Sequence, residues 1–236
     1  MSRALLVMVA AVLIAVGAGC AYMDPNRQHA CLDPDRRLSE ALSGLTLPSG
    51  TRVQDPCASG QHCLLVRRAV EQIAMVCHQH VPTAIAAAVL AFETGEFETA
   101  QRRLDQLPGL PPRPPSVAVL RARLAIHEGN LRQARRLLES ESRFSPSSAA
   151  VRETLAAVFY LQGQPVEARE ALDVAARLGA PAWRIAYSRG LIEESLGDLA
   201  AATLHYQEAL AGNPGWSLAL SRLDGLRAGP STLKPR

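Results

Sequence analysis

Five cysteines and six histidines carry the widest chemical reach in this 236-residue chain, and most of them fall in its first 80 residues. His29 and Cys31, His62 and Cys63, and the run Cys77-His78-Gln79-His80 set imidazole beside thiol, the ligand types that zinc prefers. Their spacing forms no C-x-x-C pair and no C-x-x-C-H haem attachment. In an oxidising compartment the same cysteines form disulfides instead, and Cys31, Cys57, Cys63 and Cys77 make an even set. Signatures of catalysis are absent: the sequence holds no G-x-x-x-x-G-K, G-x-S-x-G, H-E-x-x-H or EF-hand loop. His127 and His205 stand alone, and Glu193-Glu194 or Glu139 with Glu141 read as solvated helix faces rather than an acid and base pair. The expectation is a chain that is not an enzyme and uses neither metal nor cofactor.

The segment from Cys63 to His78 carries Leu64, Leu65, Val66, Val70, Ile73, Ala74 and Val76 at helical spacing. On one helix Cys63 and Cys77 stand fourteen steps apart, about 21 Å at 1.5 Å per residue, far beyond disulfide reach. Two pairings then remain. The preferred one joins Cys57 to Cys63 across a tight Ala-Ser-Gly-Gln-His loop and Cys31 to Cys77, pinning the leading segment to a capping helix.

Composition points to what must hold these residues. Hydrophobic residues make up 48% but aromatics only 4%, the excess being alanine, a strong helix former and poor strand former. The 25 basic and 22 acidic residues are interleaved, a pattern that does not call for nucleic acid. A Gly followed five residues later by Ala recurs as Gly95/Ala100, Gly129/Ala134, Gly163/Ala168 and Gly197/Ala202, in steps of 34 from 95 to 129 to 163 to 197. Pro112, Pro146 and Pro214 follow twelve residues after the Ala, with Pro181 one place off in the third unit. Each Gly marks a turn needing a left-handed backbone, each Ala a close helix crossing, and each Pro a helix stop. Between these marks Val117, Leu120, Leu124, Leu131, Ala134 and Leu138 keep a helical period.

Period and landmarks together resemble the tetratricopeptide repeat. The resemblance implies an all-α solenoid of four 34-residue helix-turn-helix units, 81–114, 115–148, 149–182 and 183–215. Ala84, Ala91, Ala118, Ala125 and Ala186 replace the large residues of the family's first helix, whereas Gly190 and Tyr206 keep its pattern. Such units bury their apolar faces only against neighbours, so the ends need caps. The spans 63–80 and 216–227 fit those roles, the latter through Leu218, Leu220 and Leu223 with Arg222, Asp224 and Arg227 toward water. A Cys-containing leading segment covers 20–62, and the tail 228–236 lacks an apolar period.

The N-terminus pairs Arg3 with an apolar run from Ala4 to Val16, short for a membrane span of about 20 residues but right for a secretory signal. With Gly17-Ala18-Gly19 before Cys20, it resembles the lipobox of bacterial lipoproteins, with Gly17 where that motif usually has Leu. The resemblance implies a signal peptide over 1–19, acylation of Cys20 with palmitate-like chains, and, with Ala21 rather than Asp next, the outer membrane. The alternative is a signal cut near the same place, leaving a soluble periplasmic protein.

In tetratricopeptide folds the first helices line a concave groove. Carried onto this sequence, the groove positions are Ile85, Val89, Phe92, Leu120, Arg123, His127, Glu153, Tyr160, Arg184, Tyr187, Leu191 and Glu194. Ser116, Leu120, Thr154 and Arg184 do not reproduce the Lys and Asn clamp that some repeats use for a C-terminal carboxylate. The function expected is a membrane-tethered, periplasm-facing adaptor that binds an envelope protein or peptide during assembly of a pilus, secretion or outer-membrane machine. The alternative is a glycan- or peptidoglycan-binding protein stacking sugars on Tyr160 and Tyr187.

Overall fold

A computed structural model describes residues 31–43, 61–107 and 114–228. Cys20, Cys57, the signal segment, Pro112 and the tail after Ala228 lie outside the described residues. The elements run α1 (Pro34–Ser43), α2 (Gln61–Val76), α3 (Val81–Glu93), α4 (Phe97–Asp105), α5 (Pro115–His127), α6 (Leu131–Phe144), α7 (Ala149–Leu161), α8 (Pro165–Arg177), α9 (Ala182–Ser195), α10 (Leu199–Gly212) and α11 (Ser217–Ala228). No strand occurs among the described residues, and no helix there is long and apolar enough to cross a membrane.

Four hairpins, α3–α4, α5–α6, α7–α8 and α9–α10, form the all-α solenoid that the 34-residue period predicts. The turn within each hairpin follows from its glycine. Gly129 adopts φ 74, which lets its N–H reach the Ile126 carbonyl while the Asn130 N–H reaches that of Ala125, satisfying the last carbonyls of α5. Asn130, Ser148 and Asp198 then cap α6, α7 and α10 with side-chain oxygens, and Pro115 and Pro165 occupy first-turn positions where no N–H is needed. Ala100, Ala134, Ala168 and Ala202 are fully buried, as a close crossing of the two helices requires.

Each second helix packs on the first helix of the next unit, so the core is a row of linked clusters. Leu104 with Val117 and Leu124, Leu138 with Val151 and Leu155, and Leu172 with Ile185 form the successive joints. First helices also touch one another, α3 to α5, α5 to α7 and α7 to α9, whereas second helices do not pack together to that extent. The first helices therefore form the inner, concave layer.

Both ends are closed by helices outside the repeat. On α2 the stripe Cys63, Val66, Val70 and Ala74 packs on Ala87 and Leu90 of α3 and on Leu38 of α1. Leu64 and Leu65, which the sequence places in the same apolar stretch, face outward, because 100° per residue leaves no room for three consecutive residues on one stripe. The Cys31–Cys77 disulfide forms as preferred, with Cα atoms 5.1 Å apart. Cys63 is disulfide-bonded too; its preferred partner, Cys57, lies outside the described residues. At the other end Ala219 and Leu223 of α11 are buried, while Leu218 and Leu220 are exposed. That corrects the expected packing face, since 218 and 220 lie 100° to either side of 219.

Candidate partner-binding face

Across the inner layer, one position from each first helix forms a row of alternating charge. Arg123 Nη1 on α5 lies 2.8 Å from Glu93 Oε1 on α3, its guanidinium 4.3 Å above the ring of Phe92. Arg184 Nε on α9 donates to Glu153 Oε1 on α7 at 2.7 Å. Glu153 retains only 13% side-chain exposure. Burial pushes its carboxyl above the usual range, against the opposing pull of Arg184 and Arg123. The two arginines remain partly open to solvent, so the row Glu93, Arg123, Glu153, Arg184 presents planar donors on a rigid helical floor.

The row runs toward an aromatic cluster at the junction of the last unit and its cap. Trp183 and Tyr187 stand one turn apart on α9. The Trp183 and Trp216 rings meet edge to face at 4.6 Å, and Tyr187 lies 4.3 Å from Trp216 and 5.5 Å from Tyr206. Tyr206 donates its hydroxyl to Glu194 Oε2 at 2.5 Å, and Arg222 Nη1 of α11 reaches Glu194 Oε1 at 3.2 Å. Burial and then Glu194 push the Tyr206 hydroxyl far above the ordinary phenol range. Tyr187 is also raised by burial, less so because Arg222 hydrogen-bonds and attracts its ionised form. Trp183, Tyr187 and Trp216 each keep part of their surface exposed.

The groove residues named from the sequence thus do not share one surface. Arg123, Glu153 and Arg184 come together in the charge row. Tyr187, Leu191 and Glu194 turn toward α10 and α11, with Leu191 packed on the Ala202, Tyr206 and Leu223 cluster. Tyr160 packs beside Ala156, Leu172 and Ile185. His127 stacks on Phe97 of α4 at 3.5 Å, at the hairpin end of its unit. Of the remaining positions, Ile85, Val89 and Phe92 are part-buried against the first joint, and Leu120 is a core residue at 2% exposure. Sequence reasoning missed Trp183, Trp216, Arg222 and Glu93. The spacing of Trp183 and Tyr187 by one helical turn was the available signal for the first.

Two of the cysteines and one of the histidines are held by partners within the fold. Cys31 and Cys77 are joined, and His80 bonds to Thr83 Oγ1 at 2.7 Å and to Asp35 Oδ1 at 3.2 Å. Among the described residues no group of three or more His, Cys, Asp or Glu could hold a metal ion.

The tetratricopeptide repeat family model matches residues 81–106, 115–140 and 149–173. The architecture is that of solved tetratricopeptide solenoids. A thermophilic TPR protein of Thermus thermophilus superposes with a TM-score of 0.67 at 16% identity, covering 83% of this chain and 99% of that one. A tetratricopeptide repeat protein of Parabacteroides merdae gives 0.63 at 13% identity, over 72% of this chain and 66% of that one. A chain of the APC/C hetero-tetramer Cut9–Hcn1 gives 0.59 at 15% identity, over 72% of this chain and 34% of that one. This chain therefore spans just under two thirds of the Parabacteroides protein and about a third of the Cut9–Hcn1 chain. No curated protein matches it significantly. At these identities the likeness speaks for fold.

Proposed function

We propose that this chain of tetratricopeptide repeats is a non-catalytic adaptor whose concave face holds a segment of a protein partner. The observation that carries the reading is the pair of ion pairs Glu93–Arg123 and Glu153–Arg184 along the first helices, with the part-exposed Trp183, Tyr187 and Trp216 beyond them. Arg, Trp and Tyr are the residue types that dominate binding energy at interfaces. A solenoid of similar fold lies in the Cut9–Hcn1 hetero-tetramer, an assembly of unlike chains.

We further propose that the chain is exported and held at a bacterial envelope by acyl chains on Cys20, facing the periplasm and serving assembly of an envelope machine. The Arg3 and Ala4 to Val16 signal pattern supports export. So does the Cys31–Cys77 disulfide, which persists in an oxidising compartment. Several acyl chains on one residue would hold the protein firmly, where one would not.

The test is intact-mass analysis of the membrane-extracted protein together with whatever co-purifies. An acylated chain beginning at Cys20 with a defined envelope protein beside it is the expected result. Replacing Arg123 and Arg184 together by Ala should reduce recovery of that protein at least tenfold. Retention on cell-wall sacculi with no protein partner would overturn the adaptor and favour the glycan-stacking alternative.

A further inference from the structure

Outside the concave face, a cleft of about 680 Å³ opens at the edge of the solenoid where the hairpin turns of the second and third units meet. Asn130, Arg132, Arg135 and Arg136 line it from α6 and its cap, and Gln162 and Gln164 from the turn between α7 and α8. Three arginines line the cleft, and no carboxylate does so among the described residues. Arg135 is fixed: its Nε donates to Glu139 at 2.7 Å, its Nη1 to Gln164 Oε1 at 3.2 Å, and its guanidinium lies 5.0 Å from the Phe159 ring. Two carboxylates next to the lining are engaged, Glu139 by Arg135 and Glu167 by Gln164 Nε2 at 3.4 Å.

Arg132 and Arg136 are different. They lie one turn apart on α6, both exposed, and form no ion pair with any described residue. Like charges at this spacing repel, so their juxtaposition destabilises the helix slightly unless an anion sits between them. Gln162 adds an independent feature. Its Oε1 is shielded from water without a hydrogen-bond donor, a costly arrangement that turning the carboxamide toward a ligand hydroxyl would relieve. Two free guanidiniums recognise a phosphate oxyanion by paired donors, and carboxamides recognise hydroxyls.

The geometry points to a binding site for a hydroxyl-bearing phosphate ester, of glycerol-phosphate type, between the second and third units. The oxyanion lies between Arg132 and Arg136, and an ester hydroxyl meets Gln162, since the Asn130 carboxamide is already bonded to the Gln133 N–H and side chain. The same chemistry is offered by a soluble ester and by a glycerol-phosphate lipid headgroup.

Calorimetric titration of the whole chain with glycerol 3-phosphate, and co-sedimentation with vesicles of phosphatidylglycerol in phosphatidylcholine, separate these sources. Arg132→Gln with Arg136→Gln removes the charge on exposed positions without loss of helix propensity, and an unchanged or slightly raised unfolding midpoint checks the fold. Arg143→Gln removes a single charge from the far end of α6. Binding of the free ester that falls at least tenfold in the double variant and is unchanged in Arg143→Gln assigns a soluble ligand. Vesicle binding that requires phosphatidylglycerol and shows the same variant pattern, without free-ester binding, assigns the headgroup. Gln162→Leu should erase any preference for glycerol 3-phosphate over inorganic phosphate. No binding to either probe, or equal weakening by Arg143→Gln, overturns the site.

Discussion

Gly190 packs against Tyr206 so closely that a Cβ at this position would lie 2.5 Å from the ring Cε1 and 2.7 Å from Cδ1. Because Tyr206 is fully buried and tied through its hydroxyl to Glu194, the ring has little freedom to yield. Gly190→Ala should cost about 1–3 kcal/mol by overpacking, read as a lower urea midpoint. Glu153 gives a prediction of opposite sign. The folded protein holds a proton on it more tightly than the unfolded chain does, so ionisation costs stability as pH rises through its raised pKa. Glu153→Gln keeps an acceptor for Arg184 and should raise the thermal midpoint at neutral pH, the gain vanishing once acid protonates the wild-type residue. A lower midpoint at neutral pH would show that the Arg184 pair outweighs desolvation. Gly190 is readable in the sequence because it keeps a repeat position. The partners of Glu153 are not, since a contact between helices of neighbouring units depends on how far each hairpin rotates against the last.

At the scale of helices and turns, legibility tracks how local the requirement is. The Gly, Ala and Pro marks fix hairpins because each is a steric demand met within one unit: a positive φ at Gly163, a fully buried Ala168. Gly163→Ala should accordingly cost about 1–2 kcal/mol from backbone strain alone, since no atom stands within 4 Å of a Cβ there. The orientation of α11 was not legible, because the face it buries is chosen by the surface α10 offers rather than by its own weak pattern. That placement also sets Tyr187 against Trp216 and Glu194 against Arg222 of the cap. At the opposite end α1 is held by the Cys31–Cys77 bond across 46 residues, by the Leu38 contact and by Asp35 with His80. Closing a loop of that length corresponds to about 4 kcal/mol in the chain-entropy account. Cys31→Ser should therefore release α1, and hydrogen exchange should show its amides unprotected while those of α5 to α10 keep their protection.

Over the whole molecule, stability is a chain of neighbour contacts, since each unit buries its apolar face only against the next. The row of clusters has no central core to make unfolding all-or-none, and damage at one end should stay there. The chain's two tryptophans, Trp183 and Trp216, both lie at the C-terminal junction, so their fluorescence reports that end while far-UV ellipticity reports every helix. Leu223 is the main buried side chain that α11 brings to the Ala202 and Tyr206 cluster. Leu223→Ala should remove about 2–5 kcal/mol from that joint. In urea the fluorescence transition should then move to lower concentration, while most of the ellipticity is lost near the wild-type midpoint as the first three units hold. Coincident fluorescence and ellipticity transitions in the variant would instead mean that the units melt as one body, and that the joints between them are stronger than the hairpins they connect.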